Sequence, residues 1–309
     1  MDKYSDKLKK ILVCTGFSQE KLADLVGVSF VSLNAWVNEK SEPREKAKEK
    51  IDEIFAEYLG AEELDKDVLK KVKIEAEKQK YSIKKLLSDR ELLDKIAVNL
   101  AYHTNATEGS TMTEGDVEAV ILDNKVLKNR TANEQREAIN HNTALFFLLD
   151  ELNEKKDKFE FSENLIKNVH LRLMNGMITD AGMFRNHQVR IRGGKVALVN
   201  YMRVPDLVER WCAKANSETL DKVQTLAELH AEFERIHPFS DGNGRTGRLL
   251  LFIMALKMKI VPPILKREKK SAYYKYLELA QTRGETDFLE KYIAEAIIDT
   301  AEIIEDSEV

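Results

Sequence analysis

The stretch HPFSDGNGR, His237 to Arg245, gathers a histidine, an aspartate, an asparagine, an arginine and two glycines, and Arg248 follows shortly after. Histidine has the ordinary pKa nearest neutrality, so His237 is the natural general base, a role that contributes roughly 10²–10⁴-fold in rate. Asp241 can hold a divalent cation, and Mg²⁺ typically binds through one or two carboxylates plus substrate phosphates. Gly242 and Gly244 let backbone N–H groups approach an anion at a helix start, a nest suited to phosphate oxygens. Arg245 and Arg248 fall on one face of a helix, so both guanidiniums can reach a single polyphosphate. Pro238 and Phe239 read as structural, the one fixing the turn and the other plugging the loop into the core. The competing reading is a helix–helix turn with a coincidental histidine. Asn-Gly also marks hairpin turns, but helices flank this one.

The elements that must position this loop are legible on both sides. Before it, TLAELHAEFERI repeats Leu226, Leu229, Phe233 and Ile236 at helical spacing. After it, TGRLLLFIMALKM is apolar nearly all round and predicts a helix buried in the core. His237–Arg245 is therefore expected as a loop between two helices, the second beginning near Asn243.

The whole chain sets the outer limits. It has 309 residues, 43% hydrophobic and 33% charged, which predicts a packed core with a well-solvated surface. A formal net charge of -4 gives no global pull toward nucleic acid or anionic membrane. Cys14 and Cys212 lie far apart, which excludes a disulfide framework and favours a reducing compartment. MDKYSDKLKK does not read as a signal peptide, and the longest apolar run, Leu249–Leu256, is too short to span a bilayer. The expectation is a soluble, cytoplasmic protein with no membrane association. Only 5 prolines and 13 glycines predict a mainly helical chain.

Residues 1–58 read as a separate unit of short helices. In SQEKLADLVGVSFVSLNAWVNEKSEP, Ser18 is the expected N-cap with Lys21 at N3, and Leu22 and Leu25 form a buried face. Gly27 supplies a turn, and Ser29 caps a second helix carrying Val31 and Trp36. The stretch resembles the Cro/repressor-type helix-turn-helix family. That resemblance implies DNA binding, with Ser29, Ser32 and Asn34 available to read bases or phosphates. The second helix carries no lysine or arginine, so its electrostatic affinity for DNA would be low. A module for protein contacts or dimerisation is the alternative.

Residues 59–88, rich in Lys and Glu, predict a charged, solvated helical linker. Residues 89–309 form the remaining body. It opens with DRELLDKIAVNLAYHTNATEG, where Leu93, Ile96 and Leu100 share one face and Gly109 stops the helix.

HPFSDGNGRTGR matches in full the HPFx(D/E)GNGRxxR signature of Fic-domain proteins, a long and specific pattern. The resemblance, extended by two further stretches, covers residues 90 to 300. It implies a mainly α fold: a Fic-type helical domain with a β-hairpin flap, here joined to a small N-terminal helix-turn-helix domain. It also implies an adenylyltransferase that moves AMP from ATP to a Ser, Thr or Tyr hydroxyl of a protein, including itself. His237 would deprotonate that hydroxyl, and Asp241 would hold Mg²⁺ (or Mn²⁺). Gly242, Asn243, Gly244 and Arg245 would cradle the phosphates, and Arg248 would secure the γ-phosphate. Other transferred groups (UMP, phosphate, phosphocholine) stay open, because the signature reads phosphates better than the base.

GMFRNHQVRIRGGKVALVN alternates around Gly193-Gly194 and predicts a hairpin. In the family this is the flap that docks an extended target, which nominates Val189, Arg190, Ile191 and Arg192; a purely structural hairpin is the alternative. SAYYKYLELAQ is similar to the helix lining the adenine pocket and nominates Tyr274 and Gln281. HTNATEGSTMTEG matches the family's inhibitory pattern (S/T)xxxE(G/N) twice, at Thr104–Gly109 and Ser110–Gly115. The first match is preferred because Glu108 closes a well-patterned helix. Thr104 and Glu108 are thus the expected inhibitory residues, with the glutamate paired to Arg248. Such glutamates also serve AMP removal by aligning water. A DNA-binding regulator whose Fic domain only senses nucleotide is the competing class, and the intact His237 argues against it. ATP and a hydroxyl-bearing protein are the expected partners; DNA and a second copy of the chain (a homo-oligomer) are left open.

Overall fold

The computed structural model describes residues 3–15, 17–59, 64–189 and 196–307, so Arg190, Ile191 and Arg192 of the expected flap lie outside the described residues. The chain divides into two compact units, residues 1–66 together with Ser271–Tyr276, and Asp67–Lys270 together with Leu277–Val309.

In the first unit α1 (Tyr4–Thr15), α2 (Gln19–Val26), α3 (Phe30–Val37) and α4 (Glu45–Leu59) enclose a small core of Leu8, Ile11, Leu22, Leu33, Trp36 and Ile51. Ser18 and Ser29 cap α2 and α3, each accepting at 3.2 Å from the backbone N–H three residues on, at Lys21 and Ser32. Gly27, in the left-handed region at φ 77, ends α2. The buried faces differ from those expected. Leu22, Ala23 and Val26 are buried on α2, and Leu33, Trp36 and Val37 on α3. Leu25 and Val31 point outward, 38% and 75% exposed. Both helices have only 8 residues, too few turns for apolar spacing to fix which neighbouring stripe faces the core.

The second unit contains α5 (Lys66–Lys78, from Asp67 on), α6 (Ile83–Ser88), α7 (Arg90–Glu108), α8 (Glu114–Ile121), α9 (Ala132–Lys155), α10 (Glu163–Leu173), α11 (Val204–Ala215), α12 (Lys222–Ile236), α13 (Asn243–Lys257), α14 (Lys270–Arg283, apart from Ser271–Tyr276) and α15 (Asp287–Glu305). The described part of the stretch read as a solvated linker is anchored to this unit. Leu69 and Ala76 of α5 are buried, and Lys73 pairs with Glu290 and, at 2.7 Å, with Asp221. Glu77 also accepts a 2.7 Å hydrogen bond from the N–H of Lys222. Partners distant in sequence absorb charges that local pattern assigns to solvent.

Helix α13 is the central element: Leu249 to Leu256 are each at most 2% exposed, and α7, α9, α10 and α12 pack around it. Burial on all sides explains why its sequence shows no polar stripe. Among the described residues there is no strand; one isolated antiparallel bridge joins Lys80 and Ile260. Val189 and residues 196–199, which flank the expected hairpin turn, have no regular secondary structure. No helix among the described residues is long and apolar enough to cross a membrane.

Candidate active site at the start of the central helix

The loop from α12 to α13 is held by its own backbone and by the side chains of Arg185 and His170. His237 ends α12 at φ 49, a left-handed conformation unusual for a non-glycine residue, and its N–H donates to the Phe233 carbonyl at 2.9 Å. Arg185, 3% exposed, braces that conformation. Its Nε donates to the His237 carbonyl at 2.8 Å, its backbone N–H to that of Pro238 at 2.9 Å, and its terminal nitrogens to His187 and Val199 carbonyls at 3.0 and 2.6 Å. Phe239 is fully buried and stacks on the His170 ring with centroids 3.6 Å apart. His170 Nδ1 accepts from the Gly182 N–H at 2.8 Å, so the proton lies on Nε2, which donates to the Asp241 carbonyl at 2.9 Å. Burial depresses the His170 pKa to about 4, which keeps that ring neutral. Gly242, at φ 77, starts α13; a Cβ there would lie 2.6 Å from Met174 Sδ.

The Asn243 side chain serves the loop itself. Its Oδ1 accepts from the Phe239 N–H and its Nδ2 donates to the Phe239 carbonyl, both at 2.8 Å. The amide closes the loop on itself, and only the backbone of this residue remains for an anion.

On this frame sit the reactive groups. His237 Nδ1 lies 3.2 Å from the Glu234 carbonyl, an acceptor, so Nδ1 carries the proton and Nε2 is the basic nitrogen. Burial holds the His237 pKa below its usual 6.5, opposed only in part by that hydrogen bond, and leaves the ring neutral and able to accept a proton near pH 7. Asp241 is 66% exposed at its side chain, and its Oδ1 takes the Gly242 N–H at 2.6 Å. No group of three or more His, Cys, Asp or Glu side chains among the described residues could cage a metal. A single exposed carboxylate beside an anion nest suits Mg²⁺, which keeps waters and shares phosphate oxygens.

The two arginines at the start of α13 are both buried and both paired. Arg245 donates through Nη1 to Glu137 on α9 at 2.8 Å, and its Nη2 lies 3.7 Å from Asp241 Oδ1. Arg248 donates through Nη2 to Glu108 at the end of α7 and, at 3.3 Å, to the Thr104 carbonyl. A Cβ on Gly244 would collide with Glu108 Oε1 and come within 3.1 Å of Arg248 Nη1, so a glycine at 244 makes room for this pair. The second pattern match is placed differently: Glu114 lies in the first turn of α8 and accepts from Asn99 Nδ2 at 2.9 Å. Partial burial would raise the Glu108 pKa, but Arg248, with help from Arg245 and Lys270, holds the carboxyl below its ordinary value. The opposite holds for Glu137, where burial outweighs Arg245 and raises the pKa. Below Arg248, burial pushes Glu234 up to about 7, opposed by Arg248; its Oε1 has no hydrogen-bond partner among the described residues and is the atom a Gly247 Cβ would strike.

The remaining nominated residues are dispersed. Gln281 donates from Nε2 to the Ala231 carbonyl on α12 at 3.1 Å, whereas Tyr274 is 39% exposed and its neighbour Tyr273 is buried. In the first unit Ser29 and Ser32 hydroxyls lie 3.0 Å apart, and Asn34 donates to Gln19 Oε1 at 2.9 Å. Sequence reasoning missed Glu137, His170 and Arg185. The usable signal was faint: a histidine among the apolar positions of α10, Leu165, Ile166, Val169 and Leu173, and an acid three residues before the buried Asn140 on α9.

Residues 160–255 match the Fic/DOC family. The chain is 32% identical over 196 residues to the protein adenylyltransferase fic-1 of Caenorhabditis elegans, covering 62% of this chain and 38% of that protein. It is 28% identical over 209 residues to the protein adenylyltransferase Fic of Drosophila melanogaster, covering 65% and 41%. The chain thus spans only about two fifths of the length of the curated relatives it matches. Among solved structures, C. elegans Fic-1 superposes with a TM-score of 0.67 at 22% identity, covering 94% of this chain and 85% of that one. A Fic-domain signalling protein from Bacteroides thetaiotaomicron gives 0.61 at 23% identity, covering 71% and 95%. Residues 160–255, which include the whole His237–Arg248 loop, therefore carry a Fic domain on a Fic-type helical fold.

Proposed function

We propose that the chain is an autoinhibited protein adenylyltransferase that moves AMP from ATP to a hydroxyl side chain of a protein, itself included. The observation that carries this reading is one loop presenting a neutral, Nε2-basic His237 beside the Gly242–Gly244 nest and the exposed Asp241 carboxylate. The target hydroxyl gives its proton to His237 Nε2 while its oxygen bonds to the α-phosphorus, and the bond to the departing pyrophosphate breaks. The nest at the α13 N-terminus orients the phosphates, which makes catalysis mainly positioning plus electrostatics. When bound, Mg²⁺ at Asp241 would neutralise phosphate charge. Arg248 is the cation suited to the γ-phosphate, and Glu108 occupies it. The names of the curated relatives, protein adenylyltransferases, support the reading. Labelled ATP with Mg²⁺ tests it: Glu108→Gly should label itself strongly, and Glu108→Gly with His237→Ala should not. Equal labelling of the two would defeat the proposal.

AMP removal is the second reading, favoured by Glu108 itself, an ionised carboxylate with a third of its side chain exposed next to the nest. Loss of AMP release from a pre-modified target in Glu108→Gly would make removal the main activity.

For the first unit we infer a helix-turn-helix that binds DNA weakly, supported by the capped α2, the left-handed Gly27 and the exposed Ser29 cap of α3. A salt-dependent mobility shift on DNA tests it; no shift at low salt would favour protein contacts instead.

A further inference from the structure

We propose that Glu137 is a positioning residue for the phosphate site, holding Arg245 so that Arg245 in turn sets the Asp241 carboxylate. This rests on the transferase reading above and extends it to a residue outside the matched domain and its signature. The geometry is a relay across three elements. Glu137 Oε1 accepts from Arg245 Nη1 at 2.8 Å, and the other terminal nitrogen of the same planar guanidinium faces Asp241 Oδ1 at 3.7 Å. A guanidinium is a rigid fork, so fixing one tine fixes the direction of the other. The buried Nε of Arg245 finds no hydrogen-bond partner among the described residues. Its side chain is 7% exposed and that of Glu137 is 19% exposed, so solvent does little to loosen the pair.

The platform under Glu137 is itself bolted to the end of α10. Arg136 Nη1 donates to the Gly176 carbonyl at 2.8 Å, and Asn140 Nδ2 donates to the carbonyls of Leu173 and Asn175 at 3.0 and 2.9 Å. The same end of α10 carries His170, which grips the Asp241 carbonyl. Asp241 is thereby held twice: its backbone by His170 and, through Arg245, its carboxylate by Glu137. Without Glu137 the Arg245 guanidinium, still beside Asp241, would turn onto that carboxylate and compete for it as a direct ion-pair partner.

The test uses the full chain with Glu108→Gly, so that Arg248 is open, and measures ADP binding calorimetrically with and without Mg²⁺. The expected parent binds ADP more tightly with Mg²⁺. Glu137→Gln, which keeps the shape and one acceptor oxygen but removes the charge, should cut that Mg²⁺-dependent tightening by about 10-fold, the range typical of partners that orient a metal ligand. Asp241→Ala should abolish the tightening, and adding Glu137→Gln to it should change nothing further. A residue with a merely structural role would lower the melting temperature and leave the tightening intact. Full tightening in a folded Glu137→Gln, and in Glu137→Ala as a harsher check, would overturn the inference while leaving the transferase reading standing. Failure of the parent to bind ADP at all would overturn both.

Discussion

The start of α13 is flanked by two arginine–glutamate pairs of the same chemistry, and the comparison separates a brace from a gate. On one side Arg245 meets Glu137 from the interior of α9, a helix of 24 residues tied down on both sides of that glutamate. On the other side Arg248 meets Glu108, the last residue of α7, directly before the left-handed Gly109. Both arginines are buried, but the Glu108 side chain keeps 33% of its surface exposed against 19% for Glu137. A carboxylate at a helix end, with water to receive it, can leave its partner at low cost. One fixed in mid-helix cannot, because the helix would have to move with it. On the proposed reading, identical residue types thus hold one cation permanently and cover the other conditionally.

The largest effect should come from His237, the proposed base. With Glu108→Gly as parent, His237→Ala should lower AMP transfer about 10²–10⁴-fold, measured by labelled ATP, while ADP binding stays. Because burial keeps the His237 pKa below 6.5, transfer by the parent should be flat across neutral pH and fall only as pH drops through that lowered value. A transfer rate still climbing between pH 7 and 8 would mean that another group is the base.

The two pairs should also differ in what they contribute to stability. Arg245→Ala leaves Glu137 buried without its cation, and such losses cost about 3–5 kcal/mol. Arg248→Ala leaves Glu108 free to turn toward water and should cost clearly less in the same urea titration. Equal costs would erase the distinction between brace and gate.

A smaller effect concerns Glu234 beneath Arg248. Its pKa rises from 4.5 to about 7 on folding, so between those values the folded chain binds more protons than the unfolded one. This contribution is full below pH 4.5 and is lost as pH rises through about 7. His141 and His230, both depressed to about 3, act with the opposite sign, adding stability as pH rises toward 6.5 and changing nothing above it. From pH 6.5 to 8 these histidines no longer oppose the Glu234 contribution: the wild type should lose melting temperature there, and Glu234→Gln should lose clearly less. Parallel curves would show that Glu234 is ionised throughout.

What could be read in the sequence follows contact range. The His237–Arg248 loop was legible because its chemistry lies within one turn-and-helix of chain, and α12 and α13 because long apolar periods identify them. Glu108 was legible as the preferred of two matches because it closes a well-patterned helix, and its pairing with Arg248 is the contact that the resemblance implies. Glu137, His170 and Arg185 were hidden because each acts on the loop from 52 to 108 residues away in sequence. Asn243 was visible, but its side chain closes the loop on Phe239, a geometric fact that residue type cannot express. In the first unit, two-turn helices left the phase of Leu25 and Val31 undetermined.

In the proposed enzyme Glu108 governs activity by occupying Arg248. Self-labelling from labelled ATP and Mg²⁺, compared across wild type, Glu108→Gly, Arg248→Ala and the double variant, reads that control out. Glu108→Gly should exceed wild type by about 10-fold or more, the factor corresponding to about 1.4 kcal/mol of released inhibition, and the double variant should fall to the level of Arg248→Ala. If Glu108→Gly instead labels itself no faster than wild type, or the double variant keeps the full gain without Arg248, the pair is not the gate.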